Sequence, residues 1–406
     1  MKNTLYLNWK ANPSKGEVFT PIGLVRMILD KIPNEVWTNP NSIFIDPCMG
    51  KGVFLIEIVR RLVDIYGYSE EDAKSRVFGY DIRVKYVNYL KRRGYKNVFH
   101  KDSLKELFKM KFDVVLGNPP YQKETGAANA ENLWPKFVQK SFEICKDGGY
   151  VSLIHPSGWR NVSGEFKNTQ ELIKSKQVKY IEIHDEKDGM KIFNATTSFD
   201  WYVIKNIESD NLLKTTIKGF DGKIDKINIK NLQFIPNGNF STISSLIAND
   251  NQERVQILSN SSYHHQRKYM SKIKTENHIY PCVYSIIKGE IINLIYSNTK
   301  DKGHFGIPKV IWSNGMASPP IVDENGKYGL TQYAYAIVDD VKNLTEIKRV
   351  MESDVFLNLI TYCYMSNGDR FNRKILATFR KNFWKEFLDE EGNIIEPNFN
   401  QNVEQL

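Results

Sequence analysis

Short apolar runs alternate along the first half of the chain with segments whose apolar residues recur every three or four positions, the rhythm of strands feeding helices. Ser42–Asp46 (SIFID) is such a run, stopped by Pro47 and a pair of glycines, and Val53–Val63 (VFLIEIVRRLV) behind it has the spacing of a buried helix. Arg76–Asp81 (RVFGYD) predicts a second strand ending in an acid, followed by a helix over Val84–Arg93. Val98–His100 and Asp113–Leu116 predict two further strands, the second running into Gly117-Asn118-Pro119-Pro120. A helix over Leu133–Cys145, a break at Gly148-Gly149 and a strand over Tyr150–His155 complete the series. Alternation of this kind predicts a doubly wound α/β fold around a parallel sheet, with its ligand at the carboxyl ends of the strands.

Beyond about Ile207 the texture changes to Asn, Lys and Tyr, with hairpin signals at Phe220-Asp221-Gly222-Lys223 and Pro236-Asn237-Gly238-Asn239. A length of 406 residues exceeds what one core usually serves, so we expect a boundary near 210–240, dividing the chain into 1–215 and a mixed α+β domain over 216–406. The tail from Asp389 carries no Lys or Arg, and its last turn is expected to be poorly ordered. Against 47 acids stand 56 Lys and Arg, a net charge of +9 that points to a polyanionic partner, nucleic acid first. Four scattered cysteines encode neither a disulfide framework nor a zinc site, which fits a reducing cytoplasm. No stretch of signal-peptide type opens the sequence, and none runs apolar for the ~20 residues of a membrane span, so secretion and membrane insertion are disfavoured.

Candidate chemistry gathers at the predicted strand ends. In Asp46-Pro47-Cys48-Met49-Gly50-Lys51-Gly52 the glycines permit a tight turn and close approach of a ligand to the backbone, with free N–H groups at the helix start behind. The segment lacks both the third glycine of a dinucleotide fingerprint and the Ser or Thr of a phosphate loop, and by itself an ordinary strand-to-helix turn explains it equally well. Asp81, at the end of the second strand, is placed to accept ribose hydroxyls, and Asp102, at the end of the third, an adenine amino group. Asn118-Pro119-Pro120-Tyr121 is the most specific segment. Its prolines end the strand and fix an extended turn, so that the Asn118 side-chain oxygen and the Pro119 carbonyl can accept two N–H bonds of a planar amino-heterocycle while Tyr121 covers its face. A Pro-Pro turn with a buried Tyr is the plainer alternative.

Asn118-Pro119-Pro120-Tyr121 resembles the catalytic tetrapeptide of amino-group methyltransferases, and Asp46–Gly52 resembles their glycine-rich S-adenosylmethionine loop. Gly16-Glu17-Val18-Phe19-Thr20-Pro21, Gly148-Gly149-Tyr150 and Ile192-Phe193-Asn194-Ala195-Thr196-Thr197 are similar, in order, to further motifs of the gamma-ordered DNA adenine-N6 methyltransferases of restriction-modification systems. The resemblance covers about the first half of the chain. It implies a Rossmann-like methyltransferase domain, a C-terminal target-recognition domain, S-adenosylmethionine as cofactor and no metal. Phe19, Thr20, Pro21, Asp46, Gly50, Gly52, Asp81 and Asp102 would then contact the cofactor, Asn118–Tyr121 would act on the amino group, and Tyr121 and Phe193 would stack a flipped adenine, Phe199 being a competitor for Phe193. Lys51 stands where the family usually has a small residue. The implied partner is double-stranded DNA, with a separately encoded restriction endonuclease as a possible companion and the enzyme itself a cytoplasmic monomer.

Since the tetrapeptide suits any planar amide or amino group, a methyltransferase acting on a protein glutamine or on RNA is the principal rival. Against it stand Phe19–Pro21 and the basic second half, where Arg267-Lys268-Tyr269, Arg370–Lys374 and Arg380–Lys385 interleave cations with aromatics. A specificity module without catalysis would not need an intact Asn118–Tyr121. Pro281-Cys282 lies outside the order of a cytosine-C5 enzyme and is expected to be a buried Cys. His264-His265, before Gln266-Arg267-Lys268, fits a DNA-facing loop better than a metal site, and Glu346-Ile347-Lys348 a solvated helix face better than a nuclease signature.

Overall fold

A computed structural model of the chain describes residues 19–397 apart from 123–130, 163, 211, 231, 260, 288–290, 314–318 and 364–371. Two compact units divide at Leu232 and Gln233. In the first, chain order is α1 (Ile22–Asp30), α2 (Asn34–Thr38), β1 (Phe44–Asp46), α3 (Val53–Asp64), α4 (Glu70–Ser75), β2 (Val77–Asp81), α5 (Val84–Lys91), β3 (Val98–His100), β4 (Phe112–Gly117), α6 (Trp134–Ile144), β5 (Cys145–Pro156), α7 (Lys167–Ser175), β6 (Lys176–His184), α8 (Glu186–Phe193), β7 (Phe199–Glu208), β8 (Thr215–Lys218) and β9 (Ile224–Ile227).

All nine strands form one sheet in the order β3-β2-β1-β4-β5-β7-β6-β8-β9. The run from β3 to β5 is wholly parallel, so Asp46, Asp81, His100 and Gly117 finish at one edge of the sheet. β7 lies antiparallel between β5 and β6. Central strands read as unbroken apolar runs because helices cover both faces: β1 is buried throughout, and α3 presses Phe54, Leu55, Ile58 and Leu62 against it. At Gly52 (φ +75°) the chain turns into α3, where any Cβ would stand 2.6 Å from the Leu90 side chain of α5.

The expected alternation is present, with two differences in the elements. Gly148-Gly149 does not break the chain but lies inside β5, where the register to β4 shifts. Gly148 takes φ +77°, and a Cβ on Gly149 would meet the Asp113 carbonyl at 2.8 Å, so the glycines make a bulge within a strand that continues on both sides. Pro236–Asn239 is not a hairpin. Asn239 adopts φ +47° and leads into a helix, Phe240–Leu246, while the Asn237 N–H bonds the Tyr362 carbonyl.

Phe220–Lys223 does make a hairpin, closed by Gly219 N–H to Lys223 O at 2.9 Å, and this carries the sheet past the expected boundary at 215. β8 pairs in parallel with β6 and keeps 215–227 in the first unit. The second unit, 233–406, is mixed α+β as expected. One four-stranded sheet joins Gln256–Leu258, Ala334–Val338, Lys309–Ser313 and Ile321–Asp323; another joins Met270–Ser271, Ile291–Ser297, Tyr280–Ile287 and Gly329–Leu330. Cys282 is buried there, and Glu346 pairs with Arg349 on an exposed face of the helix Val341–Glu352. Of the tail, 398–406 lie outside the described residues. Among the described residues no helix is long and apolar enough to cross a membrane, and no group of His, Cys, Asp and Glu is arranged to hold a metal.

Candidate functional site

The strand ends converge on the loop between β1 and α3. Its course is fixed by backbone bonds, Met49 N–H to the Tyr80 carbonyl at 2.9 Å and Gly52 N–H to the Met49 carbonyl at 2.7 Å. Gly50 sits at φ +51° with open space where a Cβ would be, so a ligand can approach its backbone closely. Asp81 spans the loop from β2: Oδ2 accepts the Gly50 N–H at 2.9 Å and Oδ1 the Arg83 N–H at 2.7 Å.

Asp46 is buried beside it. Its Oδ1 accepts the Cys48 N–H at 3.0 Å, and a Cβ on Gly117 of β4 would lie 2.7 Å from the same oxygen, which is why a glycine ends that strand. Burial raises the Asp46 carboxyl to about 7, the Cys48 hydrogen bonds pull it back, and the charge of Asp81 adds to the rise. Burial likewise pushes the Cys48 thiol up, with both acids adding. Asp102 is less enclosed. Its Oδ1 accepts the Leu104 N–H at 3.1 Å and its Oδ2 lies 3.5 Å from the exposed Lys105 ammonium, while the neighbouring Ser103 hydroxyl ties the β3 end to the Pro47 carbonyl at 2.6 Å.

Thr20 is joined to the tetrapeptide, a link no sequence spacing announced: Asn118 Nδ2 donates to Thr20 Oγ1 at 3.2 Å across 98 residues. That bond orients the amide and leaves Oδ1 buried, without a hydrogen-bond partner among the described residues. Phe19 lies under the Lys51 ammonium, 3.5 Å from its ring centroid, and edge-on to Tyr86. Pro21 precedes α1, its carbonyl accepting the Val25 N–H; Gly16–Val18 lie outside the described residues.

Pro119 and Pro120 follow β4 as an irregular turn, and the Tyr121 hydroxyl is buried and without a partner among the described residues. Burial raises that phenol, and the charge of Asp200 adds to it. Phe193 ends α8, half-buried, with its ring edge-on to Phe199 at 4.8 Å. Asn194 (φ +55°) and the Gly189 carbonyl contact of Ala195 turn the chain back; a Cβ on Gly189 would stand 2.0 Å from the Thr197 carbonyl, so only glycine lets the 194–198 loop close there. Phe199 itself is fully buried and stacked on His184 at 4.4 Å, which leaves Phe193 as the more accessible ring.

A polar cluster that sequence reasoning missed lies beside the tetrapeptide. Asp200 of β7, fully buried, accepts from Arg160 Nε at 2.7 Å and Trp159 Nε1 at 2.9 Å. Around it His155, pushed down to about 4 by burial, stacks on Trp134 and bonds the Tyr202 hydroxyl at 3.2 Å. The visible signal was an acid inside the otherwise apolar Phe199–Ile204.

The segment holding the tetrapeptide, the polar cluster's Trp159 and Arg160, and α8 to its last residue has relatives. Residues 61–193 match the Eco57I restriction-modification methylase family. Among curated relatives is an uncharacterized adenine-specific methylase of Mycoplasma pneumoniae, 25% identical over 315 residues, covering 53% of this chain and 74% of that protein. Another is the type II methyltransferase M.VspI of a Vibrio species, 24% identical over 166 residues, covering 37% of this chain and 39% of its own length. The type IIG restriction endonuclease BpuSI is a similar solved structure at 11% identity and a TM-score of 0.48, covering 89% of this chain and 58% of that one. The methylase match begins after the glycine loop, so Asp46–Gly52 lie outside it whereas Asp81, Asp102, Asn118–Tyr121 and Phe193 lie within.

Proposed function

We propose that the chain is an S-adenosylmethionine-dependent DNA methyltransferase that modifies the N6 amino group of a flipped-out adenine, as the modification component of a restriction-modification system. The observation that carries this reading is the buried, partnerless Oδ1 of Asn118, held in place by Thr20. A buried acceptor without a donor costs free energy in the resting protein, and a substrate N–H repays that cost. Adenine N6 is a poor nucleophile because its lone pair is delocalised into the ring. Accepting its hydrogens at Asn118 and at the Pro119 carbonyl draws the nitrogen toward a tetrahedral shape and stabilises the positive charge that grows as it attacks. The residues present fit the cofactor: open space at Gly50 and two buried acids at adjacent strand ends match its hydroxyls and cationic groups. When bound, it supplies an activated methyl group on a sulfonium. The chain's own part is to hold the two reactants in line and dry, with Tyr121 and Phe193 covering the extruded base.

The domain reading follows: 1–232 as the catalytic unit and 233–406 as the target-recognition unit, acting on double-stranded DNA from the cytoplasm as a monomer, with a companion endonuclease separately encoded. Sequencing that detects N6-methyladenine in DNA from cells expressing the chain tests the proposal. Modified adenine at a fixed sequence is expected; label transferred only to protein glutamine or RNA would overturn it.

Asp81→Ala should weaken S-adenosylmethionine binding by about 1.5–3 kcal/mol, the range for a hydrogen bond to a charged group. Calorimetry showing unchanged affinity would remove the ribose assignment. Asp46 yields a pH signature. Its carboxyl, raised to about 7, is mostly protonated at pH 6, and the cationic methionine end of the cofactor favours the ionised form. Binding near pH 6–7 should therefore release a proton, seen as a dependence of binding heat on buffer ionisation enthalpy. Asp46→Asn should abolish that dependence. The same raised carboxyl makes the free protein lose stability as pH rises from about 4 to about 7, since over that range its folded form holds a proton that its unfolded form has given up.

A further inference from the structure

In the second unit His264 and His265 open a tightly turned surface loop. The His264 N–H bonds the Ser261 carbonyl, the Arg267 N–H bonds the His264 carbonyl, and the Tyr269 hydroxyl closes on the Ser262 carbonyl. The two imidazoles stack at 4.8 Å and 19°, and His265 continues the stack onto Tyr333 at 6.0 Å and 25°. Tyr284 braces the stack edge-on against both His265 and Tyr333.

Hydrogen bonding fixes the proton on each ring. His264 Nδ1 accepts the Gln266 N–H at 3.2 Å, so its proton sits on Nε2. At His265 the Gln332 Oε1 accepts the backbone N–H at 3.2 Å, which turns the amide nitrogen toward Nδ1, where it donates. The proton of His265 is therefore on Nε2 as well. Neither Nε2 has a hydrogen-bond partner among the described residues, and both side chains are part-exposed. Beside them Arg267 and Lys268, and farther along Lys272 and Lys274, are exposed and form no ion pair among the described residues.

We propose that His264 and His265 form a preset pair of N–H donors that reads guanine acceptors in the major groove of the target duplex, with Arg267 and Lys268 on the flanking phosphates. Guanine offers two acceptors there, O6 and N7, and no other base presents that pair. Stacked, braced rings lose little conformational entropy on binding, and free cations beside them supply the sequence-independent attraction. A metal would instead demand unprotonated ring nitrogens, and Nδ1 is committed on both rings.

This inference rests on the DNA-methyltransferase reading. The test maps methylated sequences in DNA from cells expressing the full chain or its variants. His264→Phe and His265→Phe keep a ring in the stack and remove one donor each. Both are expected to relax the same guanine position of the methylated sequence, by roughly 5- to 150-fold in discrimination, with the other positions unchanged. Lys268→Ala should instead weaken binding at all sequences alike and flatten the salt dependence by about one counterion. Unaltered sequence preference in both single variants and in the double variant would overturn the histidine assignment while the methyltransferase reading stands. Absence of any adenine methylation by the parent chain would overturn both.

Discussion

Asn118→Ala is expected to lower turnover of adenine methylation by roughly a hundredfold or more, by analogy with removal of a single oxyanion-hole donor. The variant loses the buried, partnerless Oδ1 proposed to accept an amino proton, and with it the Nδ2 bond to Thr20. Tyr121 and Phe193 remain, so capture of the flipped base and DNA affinity should change little. Tyr121→Ala makes the contrast: it should cost about 1–3 kcal/mol of stacking and change the fluorescence of 2-aminopurine placed at the target. Single-turnover rates with saturating cofactor and duplex separate the two effects. A variant Asn118→Ala that methylates at the parental rate would show that the amide oxygen does not act on the amino group.

What was legible in the sequence follows from how local each feature is. β1, β2, β4 and α3 announce themselves because a buried parallel strand needs an unbroken apolar run and a covering helix needs apolar residues every three or four positions. Strand-end acids and the tetrapeptide were legible for a related reason: turn residues and side chains beside them act within a few positions. Gly148-Gly149 misled because a glycine pair signals a break and a bulge equally; only the register between β4 and β5, and the closeness of Asp113 to Gly149, decide it. Pro236–Asn239 misled because Asn at positive φ serves a hairpin and a helix start alike. Contacts such as Thr20 to Asn118, or Gln332 to His265 across 67 residues, have no local signature at all, and the His265 tautomer that Gln332 sets is visible only once the chain is folded.

Asp200→Ala should produce the largest loss of stability, about 3–5 kcal/mol, because it removes the carboxylate facing a guanidinium with no exposure to water. Against the ~5–15 kcal/mol of a typical fold this is a large fraction. Burial pushes the Asp200 carboxyl above its ordinary range while Arg160 pulls it back, so burial works against its charge, and Asp200→Asn, which keeps an acceptor toward Trp159 and Arg160, should cost less than the alanine variant. Urea midpoints for the two variants give the comparison. Replacing both partners, Arg160→Met with Asp200→Leu, leaves no charge stranded among Trp159, His155 and Tyr202 and should recover most of the loss. Cofactor affinity, which the proposed site places at the ends of β1, β2 and β3, should be near parental in every variant that folds. The methylation rate of the double variant then reports whether the charge of Asp200 acts on Tyr121 beyond holding the strand in place. Equal stability of Asp200→Ala and the parent would mean that the buried pair does not support the fold.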